Sequence, residues 1–163
     1  MHSPSKKTFL KTTKVHVQYA VEKTGLPVPM LFSHWVEAAV QHVRKSSGRP
    51  KEVTVRVVGN LEMLGLNKQY RQKDTSTNVL SFSQESIPGL NHLLGDLVFC
   101  APYALREAKE QGKESEAHWA HLTIHGTLHL LGFDHEKPEE AVAMEALETQ
   151  ILVELGYSDP YVQ

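Results

Sequence analysis

His125, His129 and His135 are the residues whose types and spacing most directly imply chemistry. They stand in His125-Gly-Thr-Leu-His129-Leu-Leu-Gly132-Phe-Asp-His135, which reads as a helix end followed by a turn. At 3.6 residues per turn, the first two histidines project from one face, a turn apart. Gly132 suits the end of that helix, because glycine takes the left-handed cap conformation without a Cβ penalty. The returning chain can then aim His135 at the same point. Three neutral imidazoles around one point suit a borderline-soft divalent cation, with a fourth position open to water. Zinc is the expected ion, and nickel, copper or iron would accept the same donors.

Two more histidines share that helix. At 100° per residue, His118, His121, His125 and His129 fall within an arc of about 80°. His121 and His125 are therefore also four apart, and the frame must be chosen. The glycine and His135 choose it: only His125 and His129 leave one turn of helix before the cap and the returning ligand. His118 and His121 are then expected to line the pocket or hold the ligands in place. A single histidine on such a face is ordinarily a surface or core residue; the three-ligand spacing is what argues for metal.

The spacing equals that of the metzincin proteases, His-Glu-x-x-His-x-x-Gly-x-x-His. A zinc protease needs a carboxylate beside the first ligand as general base. Here that position is Gly126, which has no side chain to take a proton from water. A metal site is expected without peptidase chemistry.

The elements that must position these residues follow from patterning. The chain has 163 residues, of which 40% are hydrophobic and 22% charged, the composition of an ordinary globular domain. Residues 1–13 read as a loose polar arm without the apolar stretch of a signal peptide, and 14–163 as one domain. Val15, Val17, Tyr19 and Val21 alternate as a first strand, and Pro27–Pro29 is a break. Leu31 to Lys45 is a helix, and Val53, Val55 and Val57 mark a second strand. Asn60 is a plausible N-cap for a helix running to Arg71. Short strands at Val79–Ser83 and Gly95–Cys100 are close enough in sequence to pair. Pro102 opens a helix stopping near Gly112, Glu114–Leu131 carries the histidines, and Pro138 opens a last helix ended by Gly156. The order β-α-β-α-β-β-α-α-α predicts an α/β domain: a small mixed sheet of about four strands packed with about five helices.

The lone Cys100, inside the apolar run Leu97–Cys100, excludes an internal disulfide and reads as a buried thiol in a reducing compartment. No run approaches the length of a membrane span, so a cytoplasmic location is expected.

The histidine segment resembles the signature of the YbeY family, bacterial metal-dependent endoribonucleases of ribosomal RNA maturation. A second stretch, Asn67-Lys-Gln-Tyr70-Arg71-Gln-Lys-Asp74-Thr-Ser-Thr77-Asn78-Val-Leu-Ser-Phe82, is similar to that family's second motif. Gly95-Asp96-Leu97 and Leu155-Gly156-Tyr157 also fit, in the family's order. The resemblance implies a single-strand-specific endoribonuclease serving ribosome biogenesis and quality control, with the small ribosomal subunit as partner and neither DNA nor membrane. It also implies that Arg71 faces the metal pocket as a phosphate clamp or transition-state stabiliser, a role its planar, permanently charged fork suits.

The remaining patterns are weaker. Between Arg44 and Lys73 the chain places Arg44, Lys45, Arg49, Lys51, Arg56, Lys68, Arg71 and Lys73 against only Glu52 and Glu62. With a net charge of −2 and a mostly acidic last thirty residues, this is the asymmetry of a neutral protein with one RNA-facing side. Thr75–Asn78 could contact backbone oxygens or simply cap a strand. Asp134 could orient a ligand or hold the turn, and His121, His118 and Asp134 are the candidates for a general base. Two other functions fit parts of the pattern: a peptidase or amidase, opposed by Gly126, and a ribosome assembly factor with a structural metal. The open coordination position opposes the latter.

Overall fold

The computed structural model describes residues 13–43, 51–71, 77–84 and 92–162, with only the backbone described at Arg71. Among the described residues nine elements follow in order: β1 (Thr13–Tyr19), α1 (Pro29–Val43), β2 (Lys51–Val58), α2 (Asn60–Arg71) and β3 (Val79–Ser83). They continue through β4 (Leu93–Cys100), α3 (Ala101–Glu110), α4 (Ser115–Leu130) and α5 (Pro138–Glu154). The strands form one mixed sheet in the order β1-β2-β4-β3. β1 pairs parallel with β2, β2 parallel with β4, and β3 antiparallel with β4. The α/β class, the four strands and the five helices agree with the sequence patterns. No helix among the described residues is long and apolar enough to cross a membrane.

Several boundaries differ from the patterning, each for a local reason. Thr13 belongs to β1 rather than to the arm: it is buried, and its N–H and hydroxyl both donate to Glu37. Pro29 opens α1 rather than breaking the chain before it, since proline's fixed φ suits a first helical position. Gly59 rather than Asn60 closes the first turn of α2, its carbonyl accepting from the Met63 N–H. Asn60 instead accepts a bond from the Cys100 thiol at 3.2 Å. β4 starts two residues before Gly95, which lies inside the strand at φ +146°. A Cβ there would come within 2.3 Å of the Phe82 carbonyl oxygen, so glycine lets β3 lie against an irregular β4.

The largest core lies between the sheet and the helices α1, α4 and α5. Trp35, Trp119, Phe32 and Phe99 pack there with ring centroids between 5.6 and 6.0 Å apart for the pairs in contact. A smaller cluster of Val58, Met63, Leu80, Val98 and Cys100 fills the other face under α2. α4 is buried nearly all round, as its weak amphipathicity requires. Its buried hydroxyls are satisfied within the helix, Thr123 donating to the Trp119 carbonyl at 2.8 Å and Thr127 to that of Thr123 at 2.7 Å.

Candidate metal centre

The metal-ligand segment is built by the end of α4. Gly132 adopts φ +102°; its N–H bonds to the His129 carbonyl and the Phe133 N–H to that of Leu128, the paired bonds of a Schellman cap. The reversed chain presents the Phe133 carbonyl to His129 Nδ1 at 3.0 Å and brings His135 back toward the helix. Asp134 fixes the turn, its carboxylate accepting from the His135 N–H at 2.7 Å. The possible ligand atoms of His125, His129 and His135 lie within 4.8 Å of one another, the last of these residues being exposed.

The donor chemistry suits a divalent cation. His129 Nδ1 faces a carbonyl, which can only accept, so a neutral ring carries its proton there. His125 Nδ1 faces the Glu148 carboxylate at 2.5 Å, with the same consequence. Each ring therefore offers an unprotonated Nε2, and these two atoms face each other across 3.1 Å. Two nitrogens bound tetrahedrally at ordinary zinc distances would be about 3.3 Å apart. Burial and the neighbouring imidazoles of His125 and His135 hold His129 below the usual histidine range, which keeps its lone pair available.

Glu148 is the residue that patterning missed. It lies on α5 and is fully buried among Met144, Ile151 and Leu152. Besides His125 it accepts from His121 Nε2 at 2.8 Å and from the Tyr161 hydroxyl. Burial pushes its carboxyl up, but the bonds from His121, His125 and Tyr161 outweigh that and bring it down to about 2. A signal existed: positions 144, 148, 151 and 152 form one helical stripe, and a carboxylate within it must have partners.

The other candidates fall in different places. His121 shares the Glu148 carboxylate with His125, and the two rings lie edge-on with centroids 6.4 Å apart. His118 is buried further along α4 and pairs with Glu107 of α3 at 2.7 Å, away from the three-histidine cluster. Glu107 also accepts from the Asn78 side chain at 3.0 Å, so Asn78 is committed to a structural bond. The Arg71 side chain lies outside the described residues, as do Thr75, Ser76, Arg44, Lys45, Arg49 and Lys73. Arg56 makes a two-pronged bond to Glu62 at 2.6 and 3.0 Å, so this member of the basic stretch is paired.

A cleft of about 610 Å³ opens over the histidines, with Val79, Ser81 and Ser83 of the edge strand β3 as its facing wall. Tyr70, one residue before Arg71, packs edge-on against Phe82 of that strand, 5.3 Å between centroids. A second cleft of about 980 Å³ lies on the other side of His125, between the α3–α4 connection and the chain's end at Tyr161. Gly126 faces neither: a Cβ there would sit 2.9 Å from Leu97 and 3.3 Å from the Ser81 hydroxyl, which donates to the Gly126 carbonyl at 3.1 Å. The helix needs glycine to approach β3 and β4.

An α/β domain with a solvent-accessible three-histidine centre beside a sheet edge is thus defined by fold and site together. Residues 18–156 match the family model described as Endoribonuclease YbeY, and the chain belongs to that family. Proteins named Endoribonuclease YbeY are 55% identical over 152 residues in Xanthomonas campestris pv. campestris (strain B100), spanning 90% of this chain and 92% of that one. The relatives from Laribacter hongkongensis and Nitrosococcus oceani are 52% and 51% identical, each across 90% of this chain and 88% and 95% of theirs. The solution structure of TM1509 from Thermotoga maritima has a similar fold, with TM-score 0.55 and 24% identity, covering 92% of this chain and 100% of that one.

Proposed function

We propose that this chain is a metal-dependent endoribonuclease that cleaves single-stranded regions of ribosomal RNA precursors in the cytoplasm, on or near the small ribosomal subunit. The observation that carries the chemistry is the facing pair of Nε2 atoms on His125 and His129, 3.1 Å apart, with His135 returned beside them. Membership in a family named for endoribonuclease activity supplies the substrate class. His125, His129 and His135 would hold one zinc ion, and a bound metal supplies Lewis acidity and an acidified water. A single strand would lie in the cleft over the histidines, with β3 as its wall. Arg71 would neutralise charge on the phosphoryl oxygens; in support, the end of α2 is held against β3 through Tyr70 and Phe82. Glu148 is fully committed to three donors and is not the base. His121 shares that network, His118 is bound to Glu107 and Asp134 holds the turn, so none of the three is free to act as general base; the attacking water, acidified by a metal held by His125, His129 and His135, would instead give up its proton to solvent.

The test pairs metal analysis with cleavage. Wild type, His129→Ala and Arg71→Glu are incubated with single-stranded and structured RNA. Wild type cuts the single strands, His129→Ala loses metal and cleavage, and Arg71→Glu keeps metal but cuts at least about 100-fold more slowly. Wild-type cleavage no greater than that of His129→Ala would overturn the nuclease function.

A further inference from the structure

A carboxylate without any exposed surface is costly to keep, and among the described residues Glu148 is paired with no lysine or arginine. Its three partners are two imidazoles and a phenol. An apolar residue in its place would continue the stripe of Met144, Ile151 and Leu152, and such replacements of buried polar networks are often neutral or stabilising. Packing therefore gives no reason for the charge. The reason lies in one partner: His125 Nδ1 donates to Glu148, which leaves His125 Nε2 bare and directed at His129 Nε2. A carboxylate in this position fixes the tautomer and the ring orientation of a metal ligand and makes it a stronger donor.

Glu148 is itself held. His121 Nε2 bonds one carboxylate oxygen and His125 Nδ1 the other, so the group cannot rotate away from His125 without losing both. Tyr161 donates to the oxygen that His121 occupies and lies 3.1 Å from His121 Nε2. Tyr161 is brought there by the chain after α5. Gly156 at φ +97° reverses it, Tyr157 bonds Glu116 at 2.6 Å, and the Asp159 carboxylate accepts from the Tyr161 N–H at 2.8 Å.

We propose that Glu148 is a positioning residue for the metal ligand His125, and that His121 and the C-terminal Tyr161 clamp it. The metal centre is thus completed by α5 and the chain's end, not by the histidine segment alone. This rests on the metal-binding function proposed above.

The test measures zinc affinity by competition with a chromophoric chelator, and the proton position on His125 by nitrogen NMR of histidine-labelled, metal-free protein. Glu148→Leu should weaken zinc binding about 10–100-fold. Glu148→Gln, which can still accept one bond, should recover part of that loss. Tyr161→Phe, at a residue 46% exposed, should leave the fold intact and weaken binding about 2–10-fold. In wild type, His125 carries its proton on Nδ1, and in Glu148→Leu the population moves toward Nε2. A merely structural Glu148 would change melting temperature and leave the tautomer untouched. The proposal is overturned if metal-free wild type holds the His125 proton on Nε2, or if folded variants keep wild-type affinity and tautomer. Should Glu148→Leu not fold, Tyr161→Phe and the wild-type tautomer still decide. Absence of zinc binding by wild type itself would defeat the metal function as well, and so is distinguishable.

Discussion

Gly126 carries two consequences at the scale of a single residue. It removes the carboxylate that a protease of the same ligand spacing requires, and it lets α4 lie against β3 and β4. The first was legible in the sequence as a missing side chain; the second needed Leu97 and Ser81, which are 29 and 45 positions away in the chain. Gly126→Ala should destabilise the fold by about 1–2 kcal/mol, the overpacking outweighing alanine's helix propensity. Equilibrium urea unfolding measures this. Gly126→Glu should abolish folding rather than create a peptidase. The polar network around His118 sets a pH dependence. Burial lowers its pKa more than Glu107 raises it, so the folded state binds a proton less readily than the unfolded state. A depressed base contributes stability that is complete above the unfolded value of 6.5 and declines as pH falls below it. His118→Gln should therefore flatten the stability profile between pH 7 and 5, read by thermal melting of metal-free protein.

At the scale of elements, the punctuation residues were the legible part. Pro102 and Pro138 open α3 and α5, and Gly132 and Gly156 reverse the chain after α4 and α5, as their backbone preferences dictate. The alternating valines of β2 and the apolar run of β4 were equally plain. Patterning supplied one pair of neighbours, β3 beside β4, but not how closely particular residues of packed elements approach each other. Gly95 looked like the start of a strand and is a close-approach point within one, because Phe82 comes from a different strand. Gly95→Ala places a Cβ against a backbone carbonyl at a positive φ and should cost at least about 3 kcal/mol. Urea unfolding checks this, and a loss under about 1 kcal/mol would mean that β3 does not hold this position. The same gap explains Glu148: its stripe on α5 was readable, but its partners on α4 and in the last residues were not.

Over the whole molecule, the sheet and helices gather at His125 groups from α4, α5, the turn after α4 and the chain's end. Cation binding to the folded state alone must then stabilise it by mass action. Zinc at 100 times its dissociation constant adds about 2.7 kcal/mol, and a chelator should lower the melting temperature by several degrees. His129→Ala should show no such shift. The most direct measurement titrates zinc into metal-stripped wild-type protein while cleavage of a single-stranded RNA is followed. Cleavage is predicted to be absent at the start, to rise with each addition and to saturate at one equivalent per chain. Undiminished cleavage by the stripped protein, or no cleavage at any zinc level, would contradict a three-histidine nuclease centre.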